Sequence, residues 1–186
     1  MANHMSTHII VRNGDDKVLE KLREIFTPNE GEYQVDTEDL GKRIFGEDVP
    51  EEYDRGWYCD NLGAKWVYSE YDDSDDIDYI HLMLTSAWSV PQGLLEKLAE
   101  ILSNVKEDCY ICGTYEDESY DPIGVFLYAK DYDDIEDYYE SIDTSKMWED
   151  DEYRESIWDK VTSCRDDFEK SYIEHLKDLE DEKTNL

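Results

Sequence analysis

The chain has 186 residues, with 50 Asp and Glu against 18 Lys and Arg, and a formal net charge of −32. Such a charge excludes direct binding of nucleic acid or anionic membrane, because both depend on Lys and Arg that neutralise phosphates. Fifteen Tyr, five Trp and four Phe supply large buriable surfaces that disordered chains lack, so we expect a folded domain with an acidic surface.

Targeting signals are not recognised in the sequence. We find no apolar run of the roughly 18 to 20 residues that span a bilayer, and no basic segment followed by an apolar run as in a secretory signal. The four cysteines, Cys59, Cys109, Cys112 and Cys164, are few for this length. We therefore expect free thiols and a cytoplasmic location.

The first elements are a strand and a helix. Residues 6–12 (STHIIVR) are rich in β-branched residues and predict a strand, whereas residues 1–4 are excluded as a possible expression tag. Apolar residues recur at helical spacing from Val18 to Phe26, after a capping aspartate and before Thr27-Pro28. Residues 29–55 predict a long connection, with a short helix at 37–44.

The middle of the chain predicts a hairpin, a helix and two further strands. Residues 64–71 and 77–85 flank an acidic turn, and Leu82 and Leu84 alternate with His81 and Met83. A helix with a leucine-rich stripe starts near Pro91. Two more strands are predicted at residues 109–115 and 123–130. The order β-α-β-β-α-β-β predicts an α+β fold, a ferredoxin-like core with an extra edge strand.

A second segment, residues 131–186, follows the predicted domain of residues 6–130. Its first part, residues 131–151, contains ten acidic residues and one lysine. A long amphipathic helix then follows, which must pack on the sheet or on a partner. Its apolar stripe consists of Tyr153, Ile157, Val161, Cys164, Phe168, Tyr172, Leu176 and Leu179.

Two tryptophan motifs carry a family resemblance. The run from Gly56-Trp57 to Gly63-Ala64-Lys65-Trp66, and the segment from Thr85 to Pro91 (TSAWSVP) before a helix, resemble the Api92-like ferredoxin-like domain of phage, prophage and plasmid proteins. The resemblance covers about residues 6–130 and implies the fold and a mobile-element origin in a bacterial host. It implies no catalytic residues. This chain departs from the pattern by a serine inserted before Ala87. We expect Trp66 and Trp88 to pack in the core, and Gly63 to mark a turn or bulge.

Catalytic and metal motifs are not found. His8, His81 and His175 lie on different predicted elements, and no nucleophile or phosphate-binding motif is present. One C-x-x-C pair, Cys109 and Cys112, has no second pair at zinc spacing, and its members should point to opposite faces of a strand. The acidic turns lack the glycine and glutamate of an EF-hand. We therefore predict a protein that is not an enzyme and uses no cofactor or metal.

The acidic residues remain as the functional candidates. Carboxylates fixed on a rigid body can imitate the charge of DNA, which suggests an inhibitor that occupies the basic channel of a host CRISPR effector or restriction enzyme. The expected partner is thus a basic, nucleic-acid-binding protein. Three alternatives stay open: a solvated acidic coat, an adaptor that pairs through the last helix, and an enzyme with a deep pocket that holds His81 or His175 beside a carboxylate. The chain is expected to be a monomer or a homodimer. The predicted partner-binding carboxylates are Asp72, Asp73, Asp75, Asp76, Asp133, Asp134, Glu136, Asp137, Asp151, Glu155 and Asp159, with contacts from Tyr132, Tyr138 and Tyr139.

Overall fold

The computed structural model describes residues 3–74, 76–77, 80–138 and 141–184, with side chains as far as residue 178. Its strands are β1 (His4–Arg12), β2 (Val67–Asp72), β3 (His81–Ala87), β4 (Tyr110–Asp117), β5 (Ile123–Ala129) and β6 (Tyr132–Asp137). Its helices are α1 (Asp16–Phe26), α2 (Thr37–Phe45), α3 (Arg55–Leu62), α4 (Gln92–Val105), α5 (Thr144–Glu149) and α6 (Asp151–Thr184), with a 3₁₀ turn at Gly46–Asp48. The fold is therefore α+β, as the sequence predicts.

The described strands form a six-stranded sheet in the order β2-β3-β1-β4-β5-β6. Every neighbouring pair is antiparallel. The strands β2 and β6 are therefore the two edges, separated by five inter-strand steps, or about 24 Å.

Aspartate caps start the three helices of the first half. The carboxylate of Asp15 accepts hydrogen bonds from the backbone N–H groups of Lys17 and Val18, at 3.0 and 3.1 Å. Asp36 and Asp54 cap α2 and α3 in the same way. Such caps satisfy N–H groups that have no partner within the helix, so part of the acidic composition is used to begin helices.

The two faces of the sheet are covered differently. The α4 face, which also holds α1 and α2, carries the main core, with Leu22, Leu84, Leu98 and Phe126 fully buried. On the α6 face, the last helix covers β4, β5, the end of β1 and the start of β6. Ile157 and Val161 pack there on Ile123 and Val125. The described part of the α6 stripe, as far as Leu176, thus packs against the chain's own sheet.

Several predicted elements are confirmed. The helices near Val18 and after Pro91 form as α1 and α4, and the short helix expected at residues 37–44 is α2. The predicted hairpin forms with Ser69 opposite Leu84. Cys109 and Cys112 are both buried, in core clusters on opposite faces of the sheet. Gly63 ends α3 in a left-handed conformation with a φ of 85°, where a side chain would be strained.

Other predictions need correction. The first strand begins at His4 rather than residue 6, and Met5 is only 2 % exposed in the core. Helix α3 forms just before the strand predicted at residues 64–71, where no helix was expected, and that strand begins only at Val67. Strand β6 also forms where no strand was expected. Trp88 was expected in the core but is 53 % exposed, because its backbone turns into the left-handed region with a φ of 65°.

The segment after residue 130 continues the sheet. Strand β5 pairs with β6 across a tight turn, with Ala129 opposite Tyr132 and Val125 opposite Glu136. The proposed division between residues 6–130 and 131–186 stays a prediction, but one sheet spans it. Within the described residues, no helix is both long and apolar enough to cross a membrane.

Candidate protein-binding surface

The edge strand β6 presents carboxylates on both faces of the sheet. Asp131 begins the run in the left-handed turn position, with a φ of 60°, which aspartate tolerates better than most residues. The register places Phe126 opposite Ile135 and Leu127 opposite Asp134. Because side chains alternate along a strand, Asp133 and Asp137 share the α4 face with Ile135, while Asp134 and Glu136 share the α6 face with Tyr132.

A cavity of about 400 Å³ separates α4 from the first half of β6. We refer to it as the α4–β6 cleft. Its carboxylates are Glu96 and Glu100 from α4, Asp131 from the turn and Asp133 from β6. Glu100 forms an ion pair with Lys97 at 2.7 Å, whereas Glu96 and Asp133 form none with other described residues. The cleft is therefore strongly negative.

Tyr128 from β5 also lines the α4–β6 cleft, and it is 4 % exposed. Burial, and then the charges of Asp133 and Glu96, raise the pKa of this phenol above its ordinary value. The Tyr128 hydroxyl consequently stays neutral at any physiological pH.

A second cavity, of about 320 Å³, lies at the other end of β6 and is lined by Trp88, Gln92, Tyr115 and Asp137. The hydroxyl of Tyr115 donates a hydrogen bond to the Asp137 carboxylate, which orients that carboxylate. Trp88 is at the rim, with the Lys65 ammonium 5.6 Å from the centre of its ring. Carboxylates are thus present in the cavities at both ends of β6.

Two of the three tyrosines predicted to contact a partner pack instead against other parts of this chain. The ring of Tyr132 lies 5.0 Å from Tyr172 and 5.4 Å from His175 on α6. Burial, and then the charges of Asp134 and Asp133, raise the pKa of Tyr132. Tyr138 is half-buried beside Ile123 and Tyr153. These two tyrosines therefore help to fix β6, while Tyr139 lies outside the described residues.

The first predicted acidic cluster lies at the other edge of the sheet. Asp72 and Asp76 are exposed there, and Asp75 is outside the described residues. The Arg23 guanidinium donates to both carboxylate oxygens of Asp73, at 2.7 and 3.0 Å. This hydrogen bonding holds the pKa of Asp73 below its ordinary value. Part of the charge at this edge is thus neutralised within the chain.

The third predicted cluster lies close to β6. Asp151, Glu155 and Asp159 are exposed in the first turns of α6, and Asp151 forms an ion pair with Arg154. Because these turns pack on β5, which pairs with β6, the structure brings the second and third clusters to neighbouring elements. It leaves the first cluster at the far edge.

A polar contact holds α6 in this position. Glu169 accepts hydrogen bonds from the Arg12 guanidinium at 2.8 and 3.2 Å and from the Tyr110 hydroxyl at 3.1 Å. Burial alone would raise the pKa of Glu169, but these bonds and the charge of Arg12 outweigh it, so the pKa lies below its ordinary value. Burial, followed by the charge of Glu169, raises the pKa of the Cys112 thiol to about 12.

The histidines do not join these cavities. The rings of His8 and His81 lie 6.3 Å apart on the α6 face of the sheet, and burial, followed by His81, lowers the pKa of His8. Histidine lines neither of the two cavities along β6, and it is also absent from a third cavity of about 320 Å³ lined by Pro122, Tyr138 and Ile142. In the part of the chain that the structure describes, no three His, Cys, Asp or Glu side chains are grouped to hold a metal ion.

Comparison with known proteins finds no match: no family model, no curated protein and no solved structure resembles this chain significantly. The class of protein is therefore defined by the structure alone, as an α+β protein with an acidic sheet edge. The resemblance to the Api92-like family stays a prediction.

Sequence reasoning missed the contribution of α4. Glu96 and Glu100 are spaced by four residues and so lie on one side of the helix, but the predicted site included no residue of that helix. Tyr128 was missed as well, because nothing in its apolar strand (IGVFLYA) distinguishes it from a core residue. The i, i+4 pair of glutamates was the available signal.

Proposed function

We propose that this chain binds a basic, nucleic-acid-binding protein in competition with nucleic acid, through the β6 edge of its sheet. The proposal rests on the absence, in the described part of the chain, of ion pairs at Asp133, Asp134 and Glu136. These three carboxylates lie on one edge strand, and none forms an ion pair with another described residue. From Asp131 to Asp137 the chain holds five acidic residues and no Lys or Arg.

Strand geometry suits the imitation of a phosphate chain. Carboxylates on one side of a strand repeat every two residues, or about 6.6 Å. Duplex DNA carries one negative charge per about 1.7 Å of axis, and a protein channel that holds it is lined with Lys and Arg. Unneutralised carboxylates fixed by sheet hydrogen bonds would attract such a channel and accelerate the encounter with it.

The fuller proposal is a non-enzymatic mobile-element protein that inhibits a host defence complex in the bacterial cytoplasm, such as a CRISPR effector or a restriction enzyme. Its support is the extreme charge together with the Api92-like motifs. The strand order β2-β3-β1-β4 supports assigning a ferredoxin-like core, with β5 and β6 added at its edge.

The structure does not favour the alternative function of an adaptor that pairs through α6. It requires an apolar α6 stripe that is available to another chain. Ile157, Val161 and Tyr172 are instead buried against the sheet of the same chain. This leaves the carboxylates as the outward-facing chemistry and favours binding by charge.

Competition binding with charge-reversed variants tests the proposal. The variant D134K/E136K reverses two alternate carboxylates on the α6 face of β6. Its matched control, E70K/D72K, makes the same charge change on the same face of β2. A CRISPR effector and a restriction enzyme are each mixed with labelled DNA and increasing amounts of the full chain. We expect displacement by the wild type, and a loss of at least about tenfold for D134K/E136K.

The control separates an oriented surface from diffuse charge. We expect E70K/D72K to lose less than about threefold in the same assay. Equal losses for the two variants would contradict the β6 surface. Failure of the wild type to displace DNA, even at low salt, would contradict competition with nucleic acid at these two targets. Capture of basic proteins from a defence-bearing lysate at low and high salt then extends the search for a target.

A further inference from the structure

The α4–β6 cleft combines negative charge with a tyrosine hydroxyl that has no hydrogen-bond partner among the described residues. Tyr128 is 4 % exposed and lines the cleft, yet no described residue forms a hydrogen bond with its hydroxyl. The hydroxyl oxygen is not among the fully buried side-chain atoms that lack a partner, so it reaches the cleft and is free to accept a hydrogen bond from a ligand. The cleft therefore has the features of a binding site as well as of an acidic patch.

The charges of the cleft define the ligand as a cation. Glu96 lies on the α4 wall and Asp133 on the β6 wall, and neither has an ionic partner among the described residues. Asp131 adds a further carboxylate at the turn, while Lys130 is the only base in the lining. A cation between the two walls would neutralise carboxylates that otherwise repel each other.

The size and shape of the cleft favour a guanidinium. A volume of about 400 Å³ exceeds the need of a metal ion and suits a long side chain. Arginine has a planar group with five N–H donors, which can reach carboxylates on both walls and a phenol oxygen at once, whereas lysine is a point charge.

We infer that the α4–β6 cleft receives an arginine side chain of the protein that this chain binds. The guanidinium would lie between Glu96 and Asp133 and donate a hydrogen bond to the Tyr128 hydroxyl oxygen. The inference rests on the proposed function, which supplies the basic partner. It adds that one arginine enters a shaped site on the α4 face, while the rest of the β6 edge acts through charge.

An arginine tripeptide, acetyl-Gly-Arg-Gly-amide, provides the direct test on the full chain. It is titrated into ¹⁵N-labelled protein and followed by NMR, with acetyl-Gly-Lys-Gly-amide for comparison. We expect the largest shifts at residues 96–104 and 128–133, and affinity at least about threefold weaker for the lysine peptide. Shifts spread evenly over the acidic surface, or equal affinity for the two peptides, would overturn the inference.

Three variants assign the contacts. E96Q/D133N should weaken the arginine peptide by at least about tenfold. Y128F keeps the buried ring and removes only the hydroxyl, and it should weaken the peptide by about threefold. The control E70Q/D72N makes the same charge change as E96Q/D133N at the β2 edge, and it should change affinity by less than about twofold. Equal losses for the two double variants would overturn the inference, as would an unchanged affinity in Y128F. Thermal unfolding checks that each variant is folded.

The failure of this inference is distinguishable from that of the proposed function. If a target protein is bound and E96Q/D133N and Y128F bind it as well as the wild type, the cleft receives no arginine of that partner and the proposed function stands. If no basic protein is bound while the peptide still enters the cleft, the proposed function fails. The cleft would then be a site for small guanidinium compounds, and the assignment to a protein arginine would be wrong.

Discussion

The two edges of the sheet carry similar acidic sequences but differ in what surrounds the acid. At the β2 edge, the backbone N–H of Ser69 donates to the Val35 carbonyl at 3.1 Å, and Arg23 pairs with Asp73. At the β6 edge, Asp133, Asp134 and Glu136 have no ionic partner among the described residues. One edge is partly covered and partly neutralised, and the other is not.

This difference shows that the number of carboxylates does not define a binding surface. A rival explanation for β6 is that charges on an exposed edge strand block pairing with another chain. That role is served by charge of either sign, because lysine protects edges well. Binding to a basic channel requires negative charge. D134K/E136K should therefore keep the edge protected and lose binding, which separates the two roles.

The largest expected effect comes from detaching α6 from β5. Ile157 is 3 % exposed and packs on Ile123 and Val125. Ile157→Ala keeps a good helix former but leaves a cavity, so the free energy of unfolding should fall by about 2–4 kcal/mol. Urea denaturation measures this loss. Ile173→Ala makes the same change at an exposed position of α6 and should cost less than about 0.5 kcal/mol.

Hydrogen exchange on Ile157→Ala then sharpens the comparison of the edges. Because α6 covers β4 and β5 but not β2 and β3, amides of residues 123–137 should exchange faster while those of residues 67–72 change little. Equal loss of protection in both segments would mean that the sheet opens as one unit. In that case the two edges would not differ in stability.

A smaller effect is expected from the polar contact that anchors α6. Glu169→Gln removes the charge that pairs with Arg12, and it should lower the free energy of unfolding by about 1–2 kcal/mol at pH 7. The folded pKa of Glu169 lies below its ordinary value of 4.5. Its contribution is therefore present above about pH 4.5 and is lost as the pH falls through the folded pKa.

The measurement is urea denaturation of the wild type and Glu169→Gln between pH 7 and pH 3. The difference between them should shrink towards the acid end. Glu174→Gln, an exposed position of the same helix, should be nearly neutral throughout. A difference that stays constant with pH would mean that Gln is disfavoured by its packing and not by the lost charge.

Local patterns in the sequence predicted most of the fold. Helices α1 and α4 have capping or proline starts and regular apolar spacing, and the β2–β3 hairpin has clear alternation. Strand β6 was missed because its sequence, YDDIED, has the polar composition of a loop. It forms because β5 offers backbone partners and Ile135 packs on the core. Tertiary contacts override propensity at such an edge.

The candidate site was predictable only in part. The acidic run near Asp133 was visible in the sequence, but its distance from the Asp72 cluster depends on strand order. Neutralisation of Asp73 depends on Arg23, fifty positions earlier in the sequence. The α4–β6 cleft joins Glu96 to Asp133 through packing of a helix on a sheet edge. Such non-local pairings leave no local pattern in a single sequence.

The smallest expected effect comes from Arg23→Gln, a substitution that makes the charges of the two sheet edges more similar. Arg23→Gln should release the Asp73 carboxylate at the β2 edge and lower Tm by less than about 2 °C, because exposed ion pairs contribute little. Since the Arg23 hydrogen bond holds the pKa of Asp73 down, that carboxylate should titrate at higher pH in the variant, as NMR can measure.

The negative charge that Arg23→Gln adds to the β2 edge should also make E70K/D72K more damaging to DNA displacement than it is with Arg23 present. If E70K/D72K has the same small effect with and without Arg23, neutralisation by Arg23 is not what distinguishes the edges. The position of β6 beside α4 and α6 would then account for the difference.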